Sequence, residues 1–133
     1  SDRLRSVRVA CGDWSRVLGD SVTIKHGVTG VLLDPPYGNE EHDVRYSAHE
    51  NVAGGVAAWA FANGGNPLLR IVLCGYEGEH LAPDGWRVVA WKARGGYGSQ
   101  SEGRGRSNAG RERLWLSPHC LGQHDNTPLW GAA

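Results

Sequence analysis

"GVLLDPPYGNE" (residues 30–40) takes an apolar run to an abrupt stop. Gly30 to Leu33 read as a buried strand, Asp34 is the first charge, and Pro35 and Pro36 follow at once. Proline fixes φ and has no N–H, so two in succession form a stiff segment that donates nothing to a ladder while its carbonyls still accept. Asp34 sets a carboxylate beside them. Tyr37 adds a flat face for stacking on a planar ring, and Gly38 permits close approach. Paired acceptors next to a stacking ring are what holding an aminated heterocycle requires. The plainer reading is a strand that ends in a proline turn with a capping aspartate. The four residues follow a buried-strand pattern directly, with the tyrosine in place, and this favours the functional reading.

Working outward, "VRVACGD" (7–13) and "LRIVLCGY" (69–76) have the same form as the run into Asp34. Short continuous apolar runs of this kind suit strands covered on both faces, as in a parallel sheet. "WRVVAWKA" (86–93) and "RERLWLSPHC" (111–120) mix apolar and basic residues and read as an antiparallel pair nearer the sheet edge. Between the second and third strands, "NVAGGVAAWAFANGG" places Val52, Val56, Trp59 and Ala60 on one helical face. Gly64, Gly65 and Pro67 end that helix. A short helix is also expected from Asp13 to Leu18. Strand, helix and strand at this spacing make a crossover unit. The expectation is an open α/β sheet, mostly parallel with an antiparallel edge. Ligands collect at the carboxyl ends of such strands, where Asp13, Asp34 and Tyr76 would share a rim.

The chain has 133 residues, enough for one domain. Its 14 Lys+Arg balance 14 Asp+Glu, which excludes a globally basic nucleic-acid binder but not a local basic patch. No apolar run approaches the roughly 20 residues needed to span a bilayer. Cys11, Cys74 and Cys120 are far apart in sequence and form no C-x-x-C pair, so a reduced, cytoplasmic protein without structural zinc or disulfides is expected.

"DPPY" at 34–37, after an apolar strand, resembles motif IV of the amino-group DNA methyltransferases that use S-adenosylmethionine. "VRVACGDW" is similar to the strand-and-acid segment that precedes this motif in Dam-like adenine methyltransferases of the D12 class. "RIVLCGYEGEH" resembles the strand and loop that follow it, and "GGYGSQSEGRGRSNAGRERLWLSPHC" resembles the late loop and strand that close the catalytic domain. The resemblance covers about residues 5 to 121, leaving 122–133 as a tail, and only "DPPY" is highly specific by itself. It implies a Rossmann-like class I methyltransferase sheet. It also implies methyl transfer from S-adenosylmethionine to the exocyclic amine of an adenine flipped out of double-stranded DNA. By that resemblance Asp34 and Pro35 accept from the amine, Pro36 stiffens the segment and Tyr37 stacks on the base. Asp13 and Trp14 would border the cofactor, with Asp34 beside it. Asp13 has a plain alternative as the N-cap of a short helix.

Seven basic residues (Arg87, Lys92, Arg94, Arg104, Arg106, Arg111 and Arg113) stand against Glu102 and Glu112, giving residues 87–113 a net +5 in a neutral chain. A flexible Arg/Gly loop beside a base pocket suits contact with the DNA backbone, and Tyr97 and Asn108 are candidates to support the flipped base. The alternative is an exposed, solvated loop. His42 and His49, among Glu41, Asp43 and Glu50, show no recognisable zinc spacing, so no metal is expected.

The family's glycine-rich cofactor turn should precede "VRVACGDW" and is not found. The resemblance therefore implies a carboxy-terminal portion of such an enzyme, incomplete at its first strands. Its expected partners are a missing amino-terminal half or a self-association partner, with no membrane. Another class of reading keeps the base pocket without turnover, as a nucleic-acid-binding module. A third keeps the chemistry but moves it to cytosine, RNA or a protein amide.

Overall fold

The computed structural model describes residues 11–36, 47–91 and 110–120, with residues 47–51 given by backbone alone. The element order is α1 (Trp14–Val17), a 3-10 turn (Ile24–His26), β1 (Thr29–Leu33), α2 (Ser47–Asn63), β2 (Leu69–Tyr76), β3 (Arg87–Ala90) and β4 (Glu112–Leu116). The four strands form one mixed sheet in the order β1-β2-β4-β3. β1 and β2 are parallel, from Thr29 beside Leu69 to Leu33 beside Leu73, and α2 lies between them in sequence as the crossover. β4 returns antiparallel to both β2 and β3, so three strands run one way and β4 the other. The sheet is thus α/β-like with one parallel and two antiparallel pairings. It is less parallel than the sequence suggests.

β2 supplies the centre. Leu69, Ile71 and Leu73 alternate with half-buried Arg70 and Val72, and Ile71 and Leu73 are fully buried. They pack with Val56, Ala57 and Ala60 of α2, with Leu18, Leu33 and Trp115 completing the cluster. Burying one such aliphatic side chain contributes about 1.5–3 kcal/mol, so this layer holds the sheet to the helix. The expected helical face is partly corrected. Val56 and Ala60 are buried as read, whereas Val52 is exposed and Ala57 takes its place. The opposite face of the sheet is thinly covered, with Leu32 of β1 70% exposed. This departs from the expectation of strands covered on both faces.

Two glycines of α2 and its end are explained by neighbours. A Cβ on Gly64 would lie 2.4 Å from the Trp86 ring, so only glycine lets that indole close over the end of the helix. Gly55, which weakens the helix on propensity, faces the Trp14 ring at 3.3 Å and makes room for it. A buried polar link joins β2 to the end of β4. The Ile71 N–H donates to Ser117 Oγ at 2.9 Å, and the Ser117 N–H donates to the Ile71 carbonyl at 2.9 Å. Ser117 is fully buried and carries the ladder one step past β4.

The first expected strand is not seen over Cys11–Asp13, which lie outside any element, and Cys11 is exposed. The part of that strand at 7–10 lies outside the described residues. No helix among the described residues is long and apolar enough to cross a membrane.

Candidate functional site at the strand ends

Because β1, β2 and β3 share one direction and β4 opposes them, one edge of the sheet gathers three carboxyl ends and one amino end. Asp34–Pro36 leave β1 there, Glu77–His80 leave β2, Trp91 follows β3, and Arg111 precedes β4. Main-chain bonds tie the last three together. The Glu77 N–H donates to the Arg111 carbonyl at 2.8 Å, and the Trp91 N–H donates to the Glu112 carbonyl at 3.0 Å.

Past Leu33, the last residue of β1 paired with β2, burial still alternates: Asp34 exposed, Pro35 buried, Pro36 exposed. The chain stays extended because each residue before a proline is pushed from the helical region, and the ladder stops because neither proline has an N–H. β2 continues three residues beyond that point, to Tyr76. Asp34 therefore projects from the rim on the thinly covered face shared with Leu32. Among the described residues, no hydrogen bond or ion pair holds its carboxylate. An open depression of about 500 Å³ lies there, lined among the described residues by Asp34, Pro35, Pro36 and Glu112. Tyr37, the expected stacking ring, lies outside the described residues.

The end of β2 is built differently. Gly78 adopts φ 81°, and the Glu79 N–H closes the turn onto the Tyr76 carbonyl at 3.0 Å. Glu79 Oε2 accepts from the Tyr76 N–H at 2.7 Å. The loop folds so closely over Gly75 that a Cβ there would lie 2.8 Å from Glu79 Oε2 and 2.9 Å from His80 Nε2. The His80 ring sits edge-on to Trp115, with centroids 4.8 Å apart.

Of the described basic residues at this edge of the sheet, Arg113 turns to the protein. It pairs with Glu77 at 3.1 Å and donates to the Gly110 and Glu112 carbonyls at 3.0 and 2.9 Å. The exposed Arg111 lies over the Tyr76 ring, 5.2 Å from its centroid. Arg94, Tyr97, Arg104, Arg106 and Asn108 lie outside the described residues. Asp13 caps α1, accepting from the Ser15 N–H at 2.9 Å and from the Ser15 hydroxyl. Those bonds, with Arg16 nearby, hold its carboxyl below the ordinary value. Trp14 packs against the core beside Gly55. The residues expected to border a cofactor thus serve the local structure, while Asp34 remains open.

No family model, curated protein or solved structure matches this chain.

Glu112 is the residue the sequence did not single out. Read locally, it only offsets the surrounding arginines. Its place beside the Asp34 segment follows from β4 returning antiparallel to β2, with Glu112 opposite Tyr76. Strand order of that kind has no local signal. Among the described residues, no group of three or more His, Cys, Asp or Glu side chains is placed to hold a metal ion. The histidine-rich segment at 42–49 is outside that statement.

Proposed function

We propose that the chain carries the base pocket of an S-adenosylmethionine-dependent DNA adenine methyltransferase. The observation that carries the reading is the exposed Asp34, followed by two prolines at the strand-end rim, lining an open depression and without a hydrogen bond or ion pair among the described residues. Asp34 and the proline segment present acceptors only, which suits an amine with two N–H donors. A carboxylate is equally suited to sit near a sulfonium. When bound, S-adenosylmethionine supplies an electrophilic methyl group. The role of this chain's residues is to place the amine: Asp34 and the Pro35 carbonyl accept its hydrogens and leave the nitrogen lone pair aimed outward. Rate acceleration then comes mainly from alignment, which is worth several kcal/mol in well-oriented systems (roughly 7–11 at the upper end). Tyr37 would stack on the base, and the basic segment containing Arg94, Arg104, Arg106 and Arg111 would meet the DNA backbone.

The test is calorimetric titration of the folded chain with S-adenosylmethionine, followed by methyl transfer to adenine-containing DNA. Binding and transfer that vanish in Asp34→Ala support the proposal. Binding that survives the substitution unchanged sinks it.

A second reading has one observation in its favour. Asp13 and Trp14 are engaged in capping α1 and packing on α2. A nucleic-acid-binding module without turnover needs nothing more from them. DNA binding without saturable cofactor binding would select that reading.

A further inference from the structure

β1 is an edge of the sheet, since the strand order β1-β2-β4-β3 gives it one neighbour among the described residues. Its pairing with β2 fixes which backbone groups are spent. The Thr29 N–H donates to the Leu68 carbonyl at 2.8 Å, and Thr29, Val31 and Leu33 stand opposite Leu69, Ile71 and Leu73. Successive residues of a strand aim their N–H and C=O groups at opposite neighbours, so Gly30, Leu32 and Asp34 direct theirs away from β2. Among the described residues, nothing hydrogen-bonds to those outward groups. Gly30 is all backbone and is exposed, and a Cβ there would meet nothing within 4 Å. Leu32 and Val28 are 70% and 63% exposed. Thr29–Leu33 has no lysine or proline to blunt this edge, and Pro35 and Pro36 come only after it.

We propose that β1 is a self-association edge, on which a second copy of this chain adds its own β1 in antiparallel register about a two-fold axis at Val31. Nothing in this pairing depends on the methyltransferase reading. The edge complements itself. With Val31 opposite Val31 of the second copy, Gly30 faces Leu32 and Asp34 faces Val28, so the outward N–H and C=O groups of each copy meet those of the other. The same register sets large against small: the exposed Leu32 of each copy lies against the open space at Gly30 of the other. Charges fall in order as well. Exposed Lys25 and His26 precede β1 and exposed Asp34 follows it, so antiparallel strands bring the basic end of one copy beside the acidic end of the other. A parallel second copy would set Asp34 beside Asp34 and lose both fits. In the antiparallel pair two four-stranded sheets become one. Its two Asp34 rims lie at opposite ends, each bordered by the Lys25–His26 turn of the second copy.

A ladder this short buries a small interface, so the dimer is weak and concentration-dependent. The experiment is sedimentation velocity on the full chain from about 1 µM to about 1 mM, the span in which weak association is read. Gly30→Pro and Leu32→Lys are run beside it, with circular dichroism to check folding. Gly30→Pro removes an outward N–H that β2 does not use, which an edge strand tolerates, and Leu32→Lys sets a charge on the open side. The expected result is a monomer–dimer equilibrium whose association weakens at least about tenfold in each folded variant. Val31→Cys in a Cys11→Ser background should then give a covalent dimer under mild oxidation that Cys11→Ser alone does not, because the register sets the two thiols opposite one another at a non-hydrogen-bonded position. A chain that stays monomeric over the whole range overturns the proposal and leaves the edge to a strand of another protein. A dimer unchanged by Leu32→Lys also overturns it, since another surface then joins the copies. A dimer that Leu32→Lys weakens but Val31→Cys does not cross-link overturns the register. If Gly30→Pro fails to fold, Leu32→Lys and the cross-link decide.

Discussion

β1 and β2 run side by side in the same direction and reach the same rim, yet their ends are finished in opposite ways. After β2, the chain caps itself: Glu79 takes the Tyr76 N–H, Arg113 pairs with Glu77, and the loop packs against Gly75. After β1, two prolines end the ladder, and among the described residues no hydrogen bond or ion pair holds the exposed Asp34 carboxylate. Polar groups at a buried strand end are ordinarily satisfied, because leaving them unmade is costly. The β2 end obeys that rule by using its side chains on itself. The β1 end avoids the cost another way, by removing N–H donors with proline and placing its one charge in water. One end is spent on structure, and the other is left open to solvent.

That contrast is broken most directly by Asp34→Ala. If the β1 end serves a ligand, the substitution should weaken S-adenosylmethionine binding on the order of a hundredfold, given about 2–5 kcal/mol for a lost charged partner. Chemical denaturation should show stability within about 0.5 kcal/mol of the unaltered chain, the usual range for a surface change. A large loss of stability would mean that Asp34 is structural and that the two ends are alike. The mirror experiment is Glu79→Ala at the β2 end. It leaves the Tyr76 N–H without its charged acceptor and should cost about 1.5–3 kcal/mol. Its effect on ligand affinity should be small. If instead affinity collapses at unchanged stability, the β2 loop belongs to the site.

What could be read from the sequence divides along the same line. β2 was legible to the residue, because a continuous apolar run between Pro67 and Glu77 has no other comfortable conformation. The end of α2 at Gly64 and Gly65 was legible for the same local reason. Its start was not: the helix reaches back to Ser47, where no apolar face announces it. Gly54 and Gly55 argue against a helix locally, but at Gly55 the approach of Trp14 gives glycine a tertiary role. The Asp34–Pro36 stop was visible because proline chemistry is local. Glu112 and the inward turn of Arg113 were not, since both depend on β4 being inserted between β2 and β3.

Ser117→Ala probes whether the sheet interior is as self-satisfied as the β2 end. It removes the acceptor for the Ile71 N–H in a fully buried setting and should cost about 1–3 kcal/mol in denaturant unfolding. The change lies away from the rim, so ligand affinity should follow the folded fraction only. A cost near zero would mean that water or Cys120, whose thiol already donates to the Ile71 carbonyl, takes over the position.

The smallest expected effect concerns Asp13, which resembles Asp34 in type but is committed like Glu79. Its carboxyl is held below 3.8 by the Ser15 hydroxyl, then the Ser15 N–H, with Arg16 adding a smaller pull. A depressed carboxyl means that the unfolded chain binds protons more readily than the folded one. The capping contribution is therefore fully present above the unfolded value, and it is lost as pH falls through the lower folded value. Asp13→Asn keeps a capping oxygen but removes the charge, so it should lower stability slightly at neutral pH, and the difference should shrink in acid. Urea unfolding of both chains from pH 7 down through pH 3 measures it. A difference that stays constant across that range would show that charge plays no part in the cap. A simultaneous loss of S-adenosylmethionine affinity at neutral pH would move Asp13 from the side of structure to the side of the site, where Asp34 stands.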